Sequence, residues 1–189
     1  GKGEGIMSEL DKFFKEASEI ANIPIPMLWA IAKVESGLNP RAKAPTSSAS
    51  GLFQFIRSTW NIMVARYGGK YRITADQVFD PRANCIMGGL FTRENVNYLV
   101  KHLDRQVNIR EIYLAHFSGV MKAIKVLQAL ERNPNGASSL LYSRREINAN
   151  RSILYEKTIK QAFNLLTNKV FNAWLAELPA NDSSSGKTD

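Results

Sequence analysis

Apolar residues recur every three to four positions through most of this sequence, a spacing that fits one face of an α-helix and not the two-residue period of a strand. The longest such segment covers about residues 81–102, directly after Asp80 and Pro81, a pair typical of a helix start. Its inward-facing positions are expected to be Ile86, Leu90, Val96 and either Leu99 or Val100. The sequence therefore predicts an all-α domain built around a long central helix, with at most a small hairpin near residues 70–73.

Local start and stop signals divide the remainder into further helices. Ser8 with Asp11, Thr74 with Gln77 and Asn108 with Glu111 each have the spacing of a capping box. Further helices are expected from residue 58 or 59 to the pair Gly68-Gly69, over about residues 120–130, and over about residues 155–178 before Pro179. Residues 133–143, rich in Pro, Asn, Gly and Ser, are predicted to form a loop.

Length and composition fit one globular domain of 189 residues, which we place at residues 8–179. Residues 1–7 are interpreted as a flexible N-terminus, left by expression cloning or by excision from a longer protein, and residues 180–189 as a disordered tail. The net charge of +8 suits solubility or an anionic polymer, and by itself it does not choose among peptidoglycan, nucleic acid and a lipid surface.

The single cysteine, Cys85, rules out an internal disulfide framework and lies in an apolar segment, where a core position is expected. No stretch has the ~20 apolar residues of a membrane span, and no signal peptide is visible. We expect neither a metal nor another cofactor.

One helix carries a carboxylate where an apolar residue would be expected. Between Pro26 and Gly37, which suit a helix start and a helix end, Leu28 and Ile31 form an apolar stripe that includes Glu35. Burial and the partial negative charge of the helix C-terminus both disfavour an ionised carboxylate there. A protonated carboxyl group near neutral pH is what a general acid requires.

The chain after Glu35 is acid-poor. No Asp or Glu occurs between Ser36 and Thr74, whereas six Lys and Arg residues do. The alternative to catalysis is an ion pair between Glu35 and one of these cations beside an ordinary loop, and the residues alone leave both open.

The chain has ESGLNP at residues 35–40, followed by SSASGLFQFI at residues 47–56. In this order and spacing, the two motifs resemble those of the soluble lytic transglycosylases, which are related to goose-type lysozyme. The second motif is similar to the variant found in phage virion proteins and prophages. YLAHFSG at residues 113–119 lies where the family has its third motif, with His116 and Phe117 replacing the usual Tyr and Asn. NANRSILY at residues 148–155 resembles its last segment. The resemblance covers about residues 20–167.

The resemblance implies a lysozyme-like fold with a substrate cleft, and cleavage of the β-1,4 bond of peptidoglycan to leave a 1,6-anhydro sugar. Glu35 would be the catalytic residue, first as acid and then as base. The implied substrate-binding residues are Ser36, Ser50, Phe53, Gln54, His116, Phe117, Asn150 and Tyr155, with Phe53 and Phe117 as stacking surfaces for sugar rings. Ser36 has the alternative of capping its helix.

The expected partner is therefore the glycan strand of peptidoglycan, with no nucleic acid and no membrane span. The expected location is a virion, inside a larger virion protein or assembly, or the bacterial periplasm and cell wall. The alternatives are a lysozyme-type hydrolase with Asp76 as second acid, an inactive glycan-binding module and a nucleic-acid-binding domain. The last of these would need a basic helix face, whereas the basic residues here are scattered.

Overall fold

A computed structural model of the chain describes the backbone of residues 4–179 and the side chains of residues 9–179. Its α-helices are α1 (Glu4–Ala21), α2 (Ile25–Ser36), α3 (Arg57–Tyr71), α4 (Pro81–Leu103), α5 (Ile109–Ser118), α6 (Val120–Arg132), α7 (Arg144–Ala149), α8 (Arg151–Leu154) and α9 (Ile159–Ala176). Two short 3₁₀ helices span Ala75–Gln77 and Ser138–Leu140. The predicted all-α class is confirmed. No helix of the described part is long and apolar enough to cross a membrane.

Helix starts and ends that depend on neighbouring residues follow the sequence signals. Asn108 accepts a hydrogen bond from the backbone N–H of Glu111 and closes a capping box at the start of α5. Asp80 accepts the N–H of Ala83 at the start of α4. Gly37 ends α2 in the left-handed conformation, with φ of 61°. These predictions are confirmed. The sequence could predict them because such hydrogen bonds form within one helical turn.

Several predicted boundaries are wrong. α1 begins at Glu4, so Ser8 lies inside the helix and not at its cap. α3 continues through Gly68 and Gly69 to Tyr71, which removes the hairpin expected near residues 70–73. α9 begins after a Thr158 cap, so Tyr155 precedes the last helix. The residues assigned to the tail, 180–189, lie outside the described part.

The chain divides into two compact units, residues 1–94 and residues 95–189, and the boundary falls within α4. In the first unit the rings of Phe14 on α1 and Trp29 on α2 lie 5.0 Å apart. The first half of α4 packs on α1 at Gly89, where a Cβ would be 3.1 Å from the carbonyl oxygen of Ala17. Cys85 is a free, buried thiol in this core, as predicted.

The second unit has its core where α5 packs against α6 and α9. The buried residues of these helices include Ile112, Leu114, Val126, Leu127, Leu166 and Val170. Arg110 on α5 lies over the ring of Phe171 on α9, 4.3 Å from its centroid, and donates to Asn168 at 2.8 Å. α5 is therefore held on α9 by both apolar packing and polar contacts.

Candidate active site

Glu35 is the penultimate residue of α2, a helix whose residues from Met27 to Ala32 are buried. The Glu35 side chain is only half-buried, so it is less enclosed than the apolar stripe predicts. The next residue, Ser36, donates its hydroxyl to the carbonyl oxygen of Ala32 at 2.9 Å. This is the usual bond of a helical serine to the carbonyl group four residues earlier. A carboxyl group placed in this way can be reached from solvent.

The chain reverses direction immediately after α2. Gly37 and Leu38 both have left-handed φ values, 61° and 63°, and the N–H of Asn39 donates to the carbonyl oxygen of Ser36. Asn39 then accepts the N–H of Ala42 through its carbonyl oxygen at 3.1 Å. This turn carries the chain away from the end of the helix.

The carbonyl oxygen of Ala42 links this turn to the second motif. It accepts the N–H of Gly51 at 2.8 Å and the side-chain amide of Gln54 at 3.1 Å. The same Gln54 Nε2 also donates to the carbonyl oxygen of Gly51 at 3.0 Å. Both amide hydrogens of Gln54 are therefore engaged, and only its Oε1 is left to face a ligand, as an acceptor.

Ser50 links residues within the second motif by hydrogen bonds. Its backbone forms two hydrogen bonds of 3.0 Å with Phe55, and its hydroxyl donates to the carbonyl oxygen of Ser48 at 2.8 Å. The side chain is buried, although it lines a cavity described below.

Phe53 does not have the predicted role in sugar stacking. Its side chain is 0 % exposed, and its ring centroid is 6.2 Å from that of Phe14. The ring also packs on the backbone of α4, where a Cβ added to Gly88 would lie 2.4 Å from a ring carbon. The prediction is wrong because the ring fills the core of the first unit, and its contribution is to anchor the motif.

A cavity of about 420 Å³ lies beside the second motif in the first unit. Its lining combines cations, hydroxyls, aromatic rings and one carboxylate: Lys43, Ser48, Ser50, Phe55, Arg57, Trp60, Asn61, Ala75, Asp76, Val78 and Phe79. Asp76 accepts a hydrogen bond from the Thr74 hydroxyl, and Thr74 caps the helix Ala75–Gln77. Asp76 therefore has a structural partner at a helix start.

His116 and Phe117 lie in the last turn of α5, in the second unit, and both are half-buried. The His116 ring is nearly parallel to that of Tyr113, with a centroid distance of 5.9 Å and an interplanar angle of 21°. Gly119 ends the helix directly after them. The position at a helix end leaves part of each side chain accessible.

Asn150 and Tyr155 flank the short helix α8. Asn150 donates its side-chain amide to the carbonyl oxygen of Glu146 at 3.0 Å, which ties α7 to α8. Tyr155 is 41 % exposed, and the Arg151 guanidinium lies 3.7 Å from the centroid of its ring. The ring is thus contacted by Arg151 and partly exposed to solvent.

Tyr155 lines a cavity of about 720 Å³ in the second unit, which the sequence did not predict. The other lining residues are Asn135, Ala137, Ser138, Ser139, Tyr142, Arg144, Ile147, Asn148, Leu154, Glu156, Lys157 and Thr158. The hydroxyl groups of Tyr142 and Ser118 are 2.9 Å apart, and burial raises the pKa of Tyr142. The only sequence signal for this cavity is the density of Asn, Ser and Tyr in a segment interpreted as a loop.

The chain was compared with models of known protein families. The family model described as the transglycosylase SLT domain matches residues 12–129. The matched range includes Glu35, Gln54, His116 and Phe117, whereas the cavity formed by residues 135–158 lies outside it. The match covers more than half of the chain.

Proposed function

The chain belongs to the transglycosylase SLT family, and on that premise we propose that Glu35 is the residue with which it cleaves peptidoglycan. Members of this family are lytic transglycosylases, so the chain is an enzyme that breaks glycosidic bonds of the cell wall by a lyase-type reaction. The observation that carries the proposal is the position of Glu35, a half-buried carboxyl group at the end of α2 followed by a stretch without acids.

In the proposed reaction, Glu35 donates its proton to the oxygen of the bond between N-acetylmuramic acid and N-acetylglucosamine as the bond from C1 to that oxygen breaks. The carboxylate then removes the proton from the C6 hydroxyl of the muramic acid. The C6 oxygen forms a bond to C1, which gives the 1,6-anhydro product and returns Glu35 to its protonated form. No water is consumed.

The neighbouring acids support a mechanism with one carboxylate. Hydrolysis usually needs a second carboxylate, as base or nucleophile. The first two acids after Glu35 are Asp76 and Asp80, and each accepts a hydrogen bond at a helix start, from the Thr74 hydroxyl and the Ala83 N–H respectively. Both therefore have structural roles, which favours the transglycosylase over the lysozyme-type alternative.

The substrate contacts form the second part of the proposal. Gln54 offers Oε1 as an acceptor, and the half-buried Ser36 contributes a hydroxyl oxygen. In the second unit we assign His116, Phe117 and Asn150 to substrate contacts on the basis of the family motifs. Ser50 lines the cavity of the first unit, and we assign it to substrate contact there.

Tyr155 is proposed to stack on a sugar ring. Carbohydrate sites combine an aromatic face with amide and hydroxyl groups, and the cavity beside Tyr155 contains Asn148 and Ser139. Tyr155→Ala is expected to weaken binding to glycan strands, whereas Tyr155→Phe keeps the stacking face. Equal binding by both variants would remove Tyr155 from the proposed site.

The phage role rests on the SSASGLFQFI variant of the second motif at residues 47–56. We propose that the chain helps a phage to penetrate the cell wall as part of a virion protein or assembly, and that otherwise it acts in the periplasm. Mass spectrometry of purified phage particles from the source culture checks this, because a virion protein remains with particles after density-gradient purification.

The central experiment is Glu35→Gln assayed on purified peptidoglycan. Glutamine keeps the size of the side chain but has no carboxylic proton, and general acid–base catalysis contributes about 10²–10⁴-fold. Cleavage should fall at least about a hundredfold, with unchanged thermal unfolding and retained binding.

Asp76→Asn is the matched control, and its cleavage rate should stay within a few-fold of that of the parent protein. Mass spectrometry should find anhydro ends, which are one water lighter than reducing ends. An active Glu35→Gln variant refutes the proposal, and an Asp76→Asn variant that is folded but equally inactive favours a hydrolase.

A further inference from the structure

A buried amide on α4 forms hydrogen bonds with two backbone groups of the second motif and one of Val78. The side chain of Asn84 is 0 % exposed. Its Oδ1 accepts the N–H of Phe53 at 2.8 Å, and its Nδ2 donates to the carbonyl oxygens of Val78 at 2.7 Å and Ser50 at 3.4 Å. A backbone N–H can only donate and a carbonyl oxygen can only accept, so these partners fix the orientation of the amide.

Gly51 lies against the same amide. A Cβ on Gly51 would be 2.3 Å from Nδ2 of Asn84 and 2.5 Å from the carbonyl oxygen of Val78. Gly51 also has a φ of 81°, a conformation that side chains disfavour. Asn84 therefore touches three of the four residues from Ser50 to Phe53.

The segment held by Asn84 leads directly to Gln54. Gln54 has a left-handed φ of 52°, which is uncommon for a residue with a side chain and persists where surrounding contacts impose it. The N–H and the side-chain amide of Gln54 both donate to the carbonyl oxygen of Gly51. Gly51 and Gln54 both donate hydrogen bonds to the carbonyl oxygen of Ala42, at the end of the turn that follows Glu35.

We propose that Asn84 is a positioning residue for transglycosylation, which fixes the backbone of residues 50–53 and through it the acceptor atom of Gln54. The inference rests on the proposed function of Glu35 and Gln54. Without the amide, the N–H of Phe53 and the carbonyl oxygen of Val78 lose their buried partner, and unpaired buried backbone groups force the segment to rearrange. Small displacements of groups that orient a substrate reduce turnover by about a hundredfold.

The test compares Asn84→Leu and Asn84→Asp with a control on the same helix. Asn95 is also a buried asparagine of α4, 5 % exposed, and its Nδ2 has no hydrogen-bond partner in the part of the chain that the structure describes. Asn95→Leu therefore removes an amide of the same kind without releasing the motif. Initial rates of muropeptide release are measured over a range of peptidoglycan concentrations, at a temperature where thermal unfolding shows each variant folded.

Asn84→Leu should lower kcat about a hundredfold with KM changed only a few-fold, whereas Asn95→Leu should keep kcat. Asn84→Asp retains an acceptor for Phe53 but, when ionised, no donor for Val78, so a substantial loss of kcat is expected there too. Combining Asn84→Leu with Gln54→Ala should give a smaller loss than the product of the two single losses, because both act through one segment.

The inference is wrong if folded Asn84 variants keep kcat, if the losses with Gln54→Ala multiply independently, or if neither variant folds, since Asn84 would then serve stability alone. Glu35→Gln, measured in the same series, separates this from failure of the proposed function. An inactive Glu35→Gln variant beside fully active Asn84 variants would overturn only the positioning role.

Discussion

Two helical glycines should respond in opposite directions to the same substitution. Gly88 lies in α4 against the ring of Phe53, where an added Cβ would be 2.4, 2.5 and 2.7 Å from three ring carbons. Gly69 lies in α3, is exposed, and has no atom within 4 Å of an added Cβ. Alanine at Gly88 therefore requires either Phe53 or α4 to move, whereas alanine at Gly69 occupies open space.

The magnitude follows from two terms. Replacing a helical glycine by alanine stabilises by up to about 1 kcal/mol. Overpacking a core costs about 1–3 kcal/mol, and the upper end applies to Gly88 because Phe53 is fully buried and has Phe14 as a ring neighbour. Gly88→Ala should thus lower the free energy of unfolding by about 2 kcal/mol, and Gly69→Ala should raise it by up to about 1 kcal/mol.

Thermal unfolding followed by circular dichroism measures the difference. For a chain of this length, 1 kcal/mol corresponds to about 2–4 °C in Tm. Gly88→Ala should therefore lower Tm by about 4–8 °C, and Gly69→Ala should raise it by up to about 2–4 °C. If Gly88→Ala is as stable as the parent protein, the close packing of Phe53 on α4 is wrong.

Three further predictions concern charge, protonation and capping. Binding of the Glu35→Gln variant to peptidoglycan, measured by co-sedimentation, should weaken as salt is added. The attraction between the net charge of +8 and the anionic polymer is screened, because the Debye length shrinks from ~10 Å at 0.1 M to ~3 Å at 1 M. Salt-independent binding would contradict this prediction. Burial, with a smaller contribution from Asp80, raises the pKa of the Cys85 thiol in the folded state. Above pH ~8.5 the same thiol ionises first in the unfolded state, so the free energy of unfolding should fall as pH rises. Urea unfolding of Cys85→Ala should lack that slope, and a thiol reagent should label native Cys85 only slowly. Asn108→Ala should cost about 1 kcal/mol in urea unfolding, because its side chain caps the N–H of Glu111, and an unchanged midpoint excludes the cap.

Features that depend on neighbouring residues could be predicted from the amino-acid sequence alone. The left-handed Gly37, the start of α4 at Pro81 and the capping box of Asn108 involve contacts within one helical turn. The all-α class followed from apolar spacing, and Glu35 became the candidate acid through its place on an apolar stripe and the two motifs at residues 35–40 and 47–56 taken together. Such signals can be read locally because the groups that satisfy each other are a few residues apart.

Roles that depend on contacts between distant segments could not be predicted before the fold was known. The place of Phe53 in the motif predicted a stacking surface, but Gly88 of α4 leaves room for its ring in the core. One hydrogen of the Gln54 amide is used by the carbonyl oxygen of Ala42, and Asn84 of α4 accepts the N–H of Phe53. Each of these contacts joins segments whose packing no local pattern encodes. Burial and hydrogen bonding are properties of the assembled core, so a side chain's availability to substrate is settled only when the chain has folded.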